Sequence, residues 1–209
     1  MATEITDINQ LDLTKSYSYA DYISWRFQER VEIIMGKIFK MSPAPTSVHQ
    51  KIVSEMHGAL HHFLKGKRCQ VFPSPFDVIL TVNGVESVVQ PDVTVVCDPL
   101  KIVMEGCKGG APDLAVEVLS RSSVKKDLHE KYELYEQAGV TEYWLANPAD
   151  RSIIIFSLHA NGKYAASKPM IAGDVAISSV LPGFSIPVDD LFANLAEEPE
   201  ETYNAGKRV

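Results

Sequence analysis

The sequence predicts a mixed α/β (α+β) fold in which helices flank a central mixed β-sheet and β-hairpins lie near both ends of the chain. Hairpin signals occur at Gly36, at Asn83–Gly84 and at Asn161–Gly162, each between apolar runs. A strand–helix–strand unit spans residues 113–146, and such a unit is typical of parallel strand pairing. The composition, with 45% hydrophobic and 22% charged residues, is that of an ordinary globular protein.

The elements follow from hydrophobic spacing. Apolar residues recur at helical spacing in three segments, 17–25, 46–65 and 122–139. Apolar or alternating runs bounded by turn residues predict strands within the segments 30–43, 69–82, 85–98, 112–120, 140–148 and 151–166. Thr46 or Ser47 is the expected cap of the second helix, and Ser122 that of the third, which should end at Gly139. Residues 99–111 form a glycine-rich loop.

We expect one domain over residues 17–195, preceded by an extension (1–16) and followed by a polar tail (196–209), because no repeat or linker divides the 209 residues. No apolar run approaches the roughly 20 residues that cross a bilayer. The start of the chain lacks the features of a signal peptide, so a cytoplasmic location without membrane contact is expected. Three cysteines without CxxC spacing argue against a disulfide scaffold or a cysteine zinc site.

The net charge of −7 argues against a strongly nucleic-acid-binding protein, whose domain is usually basic. It does not exclude a nuclease, because metal-binding carboxylates add negative charge and a basic cleft can be local.

Two acidic residues interrupt apolar strands. Glu117 shares a strand face with Ala115 and Leu119, and Asp92 shares one with Gln90 and Thr94. If the two strands are neighbours, both carboxylates converge on one divalent cation, and Mg²⁺ typically takes one or two protein carboxylates plus water. The alternative is that each acid ends in a loop or an ion pair.

Lys131 falls on the apolar stripe of the third predicted helix, which consists of Val124, Leu128, Leu134, Tyr135 and Ala138. Proteins rarely bury a lysine without a partner. Asp127, four residues earlier, offers a simple ion pair. Alternatively, Lys131 reaches the strand carboxylates. Lys125, Lys126 and Glu130 lie on the other face, which should be solvated, and Tyr135 is expected to be a core aromatic.

The segments "QPDVTVV" and "PDLAVEVLS" resemble the PD-(D/E)XK nuclease superfamily, in which an Asp and a Glu-x-Lys lie on adjacent strands. Together with "VEIIMGKIFKMSPAPTSVHQKI", "EKYELYEQAGVTEYWLANP" and "LPGFSIPVDDLF", they resemble the Uma-type family of restriction-endonuclease-like proteins from about residue 18 to residue 192. Val118–Leu119 follow Glu117, so the strand lacks the superfamily's lysine. Lys131 is the matching position on the following helix.

This resemblance implies a restriction-endonuclease-like core and a Mg²⁺-dependent endonuclease acting on DNA, with Mn²⁺ as a substitute cofactor. It implies Asp92, Glu117 and the main-chain carbonyl of Val118 as metal ligands, with Lys131 orienting the water or stabilising phosphate charge. Glu32 matches the family's first acid, although it also fits a strand-edge charge. The expected substrate-binding residues are His49, Gln90, Lys125 and Lys126. For His49 a capping or packing role is the alternative, and for the two lysines simple solvation.

Three functional interpretations remain open at this point. The first is the DNA endonuclease, expected to be a homodimer because double-strand cutting needs two sites. The second is a catalytically silent, dimeric structural or partner-binding protein that keeps the nuclease fold. The third is a nuclease for RNA or for branched or single-stranded DNA.

Overall fold

Fourteen strands and a few helices make up the part of the chain that the computed structural model describes, residues 5–41 and 45–195. The helices are α1 (Tyr19–Tyr22), α2 (Ser47–Leu64), α3 (Tyr132–Ala138) and α4 (Val188–Leu191), with a π-helical segment (Lys126–Lys131) leading into α3 and 3₁₀ turns at Ile8–Gln10 and Pro99–Lys101. The strands are β1 (Val31–Ile34), β2 (Lys37–Lys40), β3 (Gln70–Pro73), β4 (Asp77–Val82), β5 (Val85–Val89), β6 (Val93–Val96), β7 (Ile102–Val103), β8 (Gly106–Cys107), β9 (Leu114–Val118), β10 (Glu142–Asn147), β11 (Ser152–Leu158), β12 (Tyr164–Ala166), β13 (Val175–Ile177) and β14 (Ser185–Pro187).

The strands divide between two six-stranded mixed sheets and one separate pair. The first sheet has the order β2-β1-β5-β4-β8-β7, and the second has the order β12-β11-β10-β9-β6-β3. The second sheet is antiparallel except between β9 and β10, which the helical crossover joins in parallel. β13 pairs with β14. The predicted mixed α+β class is therefore confirmed, while the single central sheet of the prediction is two sheets.

Among the described strands, the chain passes between the two six-stranded sheets five times, and two of these crossings are short segments that contain proline. β3 belongs to the second sheet and β4 to the first, and β5 belongs to the first and β6 to the second. The sequence predicted β3 and β4 within one strand segment, 69–82, and β5 and β6 within another, 85–98. Proline has no N–H for the ladder, so Pro73, Pro75 and Pro91 fall where pairing ends. We call the crossing between β5 and β6, Gln90–Asp92, the crossover segment.

α2 covers one face of the second sheet. Its buried face is formed by Val48, Ile52, Val53, Met56, Leu60 and Leu64. This face packs in one cluster with Val93, Val95, Leu114 and Val116 from the sheet. The hydroxyl oxygen of Thr46 accepts a hydrogen bond from the His49 N–H at 3.2 Å, so Thr46 is the cap. The predicted helix and its apolar spacing are confirmed.

The helix after β9 differs from its prediction. Its first turn is stabilised at Ser120, whose hydroxyl accepts from the Ser123 N–H at 3.2 Å, rather than at Ser122. Residues 126–131 then wind as a π-helix before α3 ends at Gly139, where φ is 85°. π-Helical bonds join residues five apart, so the α-helical stripe does not hold at its start. Val124 and Leu128 are accordingly exposed.

Other parts of the chain also correct or complete the predictions. Ile8 and Leu11 pack with Trp25 in a third cluster against β1 and β5. Cys69 and Cys97 form a disulfide, contrary to the expectation, because they flank β3 and β6, whose antiparallel register pairs Gln70 with Val96. The polar tail predicted at 196–209 lies outside the described residues. No described helix is long and apolar enough to span a membrane.

Candidate active site

A cavity of about 500 Å³ opens between α2, the crossover segment and the end of β9. Its lining includes several charged or hydrogen-bonding side chains: Arg30, His49, Gln90, Asp92, Glu117, Lys126, Asp127 and Lys131. Lys131, His49, Gln90 and Lys126 thus share this cavity with the three predicted metal ligands, Asp92, Glu117 and Val118.

The two strand acids are brought together by the pairing of β6 with β9. These strands are antiparallel neighbours with Val93 opposite Val116, so Asp92 and Glu117 are next in register at the same end. The Asp92 Oδ2 accepts a hydrogen bond from the Val118 N–H at 2.8 Å, which fixes this carboxylate against the strand that carries Glu117. β6 and β9 are therefore neighbours, which is the condition on which the predicted convergence of Asp92 and Glu117 depended.

Lys131 is the centre of a buried ion-pair network. Its Nζ lies 2.6 Å from Glu117 Oε1 and 2.8 Å from Glu32 Oε1, and only 2% of its side chain is exposed. The ion pair with Asp127 is also present but longer, at 3.7 Å. Of the predicted partners, Glu117 and Asp127 therefore contact Lys131, and Glu117 is the closer, while Glu32 is a further partner.

Glu32 joins the two lysines of the π-helical segment. Its Oε1 accepts from Lys131 and from the Gln90 N–H, and its Oε2 accepts from Lys126. The prediction that Lys126 lies on a solvated face is wrong, because its side chain is 15% exposed and paired with this buried acid. Glu32 is not among the residues that line the cavity. Its position suits the orientation of lysines better than the binding of a metal.

The remaining predicted residues occupy different environments. The His49 Nε2 lies 3.2 Å from Asp92 Oδ2, inside the cavity. Gln90 lines the cavity, but its side chain is hydrogen-bonded to Arg30, Asp77 and Tyr22. Lys125 is exposed at the start of the π-helical segment and is not among the cavity-lining residues.

The sequence did not predict a functional role for three residues of the site. Tyr135 is buried as expected, but its hydroxyl also donates to Glu117 Oε1 at 3.0 Å. Its position four residues after Lys131, on the same helical face, was the available signal. Asp127 was considered only as a partner of Lys131, although it is buried beside the cavity. Arg30 carried no sequence signal, because it precedes β1 and reaches the cavity only through the meeting of the two sheets.

The buried charges perturb one another strongly. Burial raises the pKa of Glu117 well above its usual range; Lys131 opposes this rise, and the nearby carboxylates Asp127, Asp92 and Glu32 add to it. Burial would also raise the pKa of Glu32, but Lys131 and Lys126 prevail and lower it to about 2. The pKa of Lys131 is raised, because the surrounding acids overcome the burial that would lower it. Lys131 is therefore positively charged at neutral pH.

The pKa of His49 is raised in a similar balance. Burial favours the neutral ring, but the hydrogen bond to Asp92 and the charge of Asp92 favour the imidazolium. The Nδ1 of His49 is buried and has no hydrogen-bond partner among the described residues.

The carboxylates fit a divalent cation. Contacts from Lys131 and Tyr135 converge on Glu117 Oε1, and contacts from Val118 and His49 converge on Asp92 Oδ2, so each acid keeps its second oxygen outside these contacts. Burial and the neighbouring acids also raise the pKa of Glu117, and a bound cation would favour its ionised form. No group of three or more His, Cys, Asp and Glu side chains within residues 5–41 and 45–195 is arranged to hold a metal. A Mg²⁺ site here would therefore combine two carboxylates with main-chain and water oxygens.

Comparisons with known proteins found a matching family model and a similar fold. The family model Uma2, described as "Putative restriction endonuclease", matches residues 19–189. The fold is similar to a crystal structure of a "putative nuclease belonging to DUF820" from Anabaena variabilis, with a TM-score of 0.65 and 19% identity over 86% of this chain and 99% of that chain. No curated protein matches the sequence. Because the family model covers most of the chain, the protein belongs to the Uma2 family of restriction-endonuclease-like proteins.

Proposed function

We propose that the protein is a metal-dependent endonuclease that hydrolyses phosphodiester bonds in DNA, with Mg²⁺ as its cofactor and Mn²⁺ as a substitute. The observation that carries the proposal is the position of Lys131. A lysine from the helix lies 2.6 Å from the strand carboxylate Glu117, beside Asp92 and on one cavity. Membership of a restriction-endonuclease-like family supports the same reaction.

Asp92, Glu117 and the main-chain carbonyl of Val118 are the proposed ligands of the cation. When bound, Mg²⁺ supplies a Lewis acid for the phosphodiester and lowers the pKa of a water molecule. The hydrogen bond from the Val118 N–H to Asp92 orients that carboxylate, and Tyr135 orients Glu117. Both acids are thus held in place by the strand and helix that surround them, as preorganised sites require.

Lys131 acts in this proposal as a fixed positive charge. The surrounding acids raise its pKa, so we assign Lys131 the role of a cation and not that of the acceptor of a proton from water. Its Nζ instead donates to a phosphate oxygen or to the attacking water, which stabilises charge that develops during the reaction. Glu32 contributes by forming ion pairs with Lys131 and Lys126, which hold both lysines in position.

The substrate-binding residues follow from their exposure to the cavity. Lys126 and His49 can each donate to a phosphate, since both line the cavity and both carry donors. Lys125 is exposed on the same segment and would contact the DNA backbone outside the cavity. Together these groups supply the local positive charge that the net charge of −7 does not.

The test is a cleavage assay on duplex DNA, single-stranded DNA and RNA with Mg²⁺, Mn²⁺ or EDTA. We expect duplex cleavage with either metal and a loss of about 10²–10³-fold in rate for Lys131→Met, because one charged stabilising group is removed. Methionine is chosen because Lys131 is buried, and Lys131→Arg serves as a second variant that keeps the charge. Lys163→Ala is the matched control, since Lys163 is 69% exposed and pairs with Glu136.

Metal binding is measured separately by calorimetry. Asp92→Asn should weaken the binding of Mn²⁺ and abolish cleavage, because it removes one of two carboxylate ligands. Wild-type cleavage by folded Lys131→Met would contradict the assignment of Lys131. A folded wild-type protein that neither binds a divalent metal nor cleaves any substrate would instead support the silent structural interpretation.

A homodimer is part of the proposal, because cutting both strands of a duplex requires two sites. Light scattering on the purified protein tests it. A monomer that nicks one strand at a time would contradict the dimer without affecting the assignment of the site.

A further inference from the structure

We infer that Arg30 is a phosphate-binding residue at the rim of the cavity, held there by Gln90. The inference rests on the proposed function for its substrate, a DNA strand, but it concerns residues that the catalytic assignment does not use. Arg30 immediately precedes β1, is exposed and lines the cavity.

The guanidinium of Arg30 is fixed through one nitrogen. Its Nη2 donates to Gln90 Oε1 and to Ser74 Oγ, the latter at 3.0 Å. Nη1 and Nε make no hydrogen bond with the described residues. An arginine carries five N–H donors, so several remain for an anion while the side chain stays in place.

Gln90 is itself fixed from the other side. Its amide nitrogen donates to Asp77 Oδ1 at 2.6 Å and lies 3.3 Å from the hydroxyl of Tyr22. The amide oxygen must therefore point toward Arg30. The predicted role of Gln90 as a substrate ligand is better understood as positioning, because its polar atoms are already engaged by protein partners.

Arg30 is also linked to the proposed metal ligands. Ser74, which accepts from Arg30, donates its N–H to the Asp92 carbonyl at 3.0 Å. Gln90 is two residues before Asp92 in the crossover segment. The guanidinium is thus tied at two points to the backbone that carries Asp92. A strand whose scissile phosphate lies at Asp92 and Glu117 would place a flanking phosphate at this cation.

The negative charge of the cavity explains why a cation such as Arg30 would be needed at its rim. Asp92, Glu117 and Asp127 line the cavity, and these acids repel a phosphate before any metal is bound. A fixed cation at the rim offsets this repulsion at the point where the strand enters. The protein has a net charge of −7, so the cation must be local to be effective.

The experiment measures DNA binding without cleavage. Anisotropy of a short fluorescein-labelled duplex is recorded with the full-length protein in EDTA over a range of salt concentrations. Arg30→Ala should weaken binding about tenfold, as expected for one charged hydrogen-bonding contact. It should also reduce the slope of log K against log salt by about 0.9, because one phosphate contact is lost. Thermal unfolding confirms that each variant is folded.

Arg68→Ala is the matched control, because it removes the same charge from an exposed position beyond the far end of α2. Its affinity and salt slope should stay near those of the wild type. Gln90→Met should weaken binding several-fold with the slope retained, since the charge remains but its position is lost.

Equal effects of Arg30→Ala and Arg68→Ala would overturn the inference, and so would a wild-type protein with no salt-dependent binding. These outcomes are separate from those of the cleavage assay. A protein that binds DNA through Arg30 but never cleaves it would contradict the proposed nuclease and leave the phosphate site standing. An active nuclease whose DNA binding is unchanged by Arg30→Ala would support the proposed function and contradict the phosphate-binding role of Arg30.

Discussion

Glu32 and Glu117 contact the same lysine, and yet the pKa of one carboxyl is lowered while that of the other is raised. Glu32 is held by two lysines and by the Gln90 N–H, so its charge is more than compensated. Glu117 shares only Lys131 and lies among other acids. The two environments match the proposed roles, in which Glu32 holds the lysines and Glu117 binds the cation.

A matched pair of substitutions tests this difference through stability. Glu32→Gln should lower the free energy of unfolding by ~3 kcal/mol at neutral pH, because the ionised form is favoured when the pKa falls from 4.5 to about 2. This contribution is present above pH 4.5 and is lost as the pH falls toward 2. Urea unfolding at several pH values measures it.

Glu117→Gln should act in the opposite direction in the metal-free protein. A carboxyl with a raised pKa stabilises the folded state below its unfolded pKa of 4.5, and that contribution is lost as the pH rises through the folded pKa. The amide is neutral throughout, so the variant should be more stable than the wild type at neutral pH. A destabilised Glu117→Gln protein at pH 7 would show that the ion pair with Lys131 dominates instead.

At the residue scale, the sequence predicted the members of the site that interrupt an apolar pattern. Asp92, Glu117 and Lys131 were each polar where neighbours were apolar, and the structure places them around one cavity. Arg30 and Lys126 occupy positions where charge is ordinary, so no local pattern distinguishes them. Their roles depend on contacts with residues 44 and 94 positions away along the chain, which spacing cannot reveal.

Among the elements, the π-helical segment explains most of the difference between prediction and structure. Residues four and five apart lie on one side of a π-helix, whereas an α-helix would separate the fifth residue from the first. Lys126, Asp127 and Lys131 therefore all face the buried acids. The sequence predicts α-helical spacing here because the segment continues into α3 without a break. No characteristic residue pattern distinguishes a π-helix from an α-helix.

Deletion of His129 tests the importance of this winding. His129 is exposed, and removing one residue should restore α-helical hydrogen bonding across the segment. Lys126 and Asp127 would then rotate away from Lys131. We expect cleavage to fall at least about 10²-fold, as for loss of a positioned catalytic group, while far-UV circular dichroism retains the helix.

The substitution His129→Ala is the control for that deletion, since it removes the side chain but keeps the winding. Its activity should be close to wild type. If the deletion variant is folded and cleaves normally, the π-helical segment has no role in placing the lysines.

The accuracy of the prediction differed between the other elements. α2 was predicted with its cap and its buried face, because an eighteen-residue helix repeats its pattern several times. The crossover segment was predicted as the middle of a strand. Proline at position 91 indicated an interruption, but an interruption alone does not show that the two halves enter different sheets.

For the molecule as a whole, another buried acid, Glu142, attaches the C-terminal strands to the second sheet. Glu142 on β10 accepts hydrogen bonds from Ser178 Oγ at 2.7 Å, from the Ser179 N–H at 2.6 Å and from Trp144 Nε1 at 3.1 Å. It does not line the active-site cavity. Its contacts span β10 and the turn between β13 and β14, so they are structural.

Glu142→Ala should therefore reduce stability without changing the chemistry. We expect a loss of about 3 kcal/mol in the free energy of unfolding, because several charge-assisted hydrogen bonds are removed from buried donors. The rate of cleavage per folded molecule should be unchanged. Glu133→Ala, at an exposed position, should alter stability by less than about 0.5 kcal/mol. Loss of activity in folded Glu142→Ala would link the C-terminal strands to the site.

The division of the site between two sheets has a consequence for the newly made chain. Glu32 belongs to β1 of the first sheet, Glu117 belongs to β9 of the second, and Lys131 contacts both. A polypeptide that has formed only one sheet lacks either the ligands or the support for its lysine. If the proposed nuclease assignment is right, activity would therefore arise only after both sheets have formed and packed together.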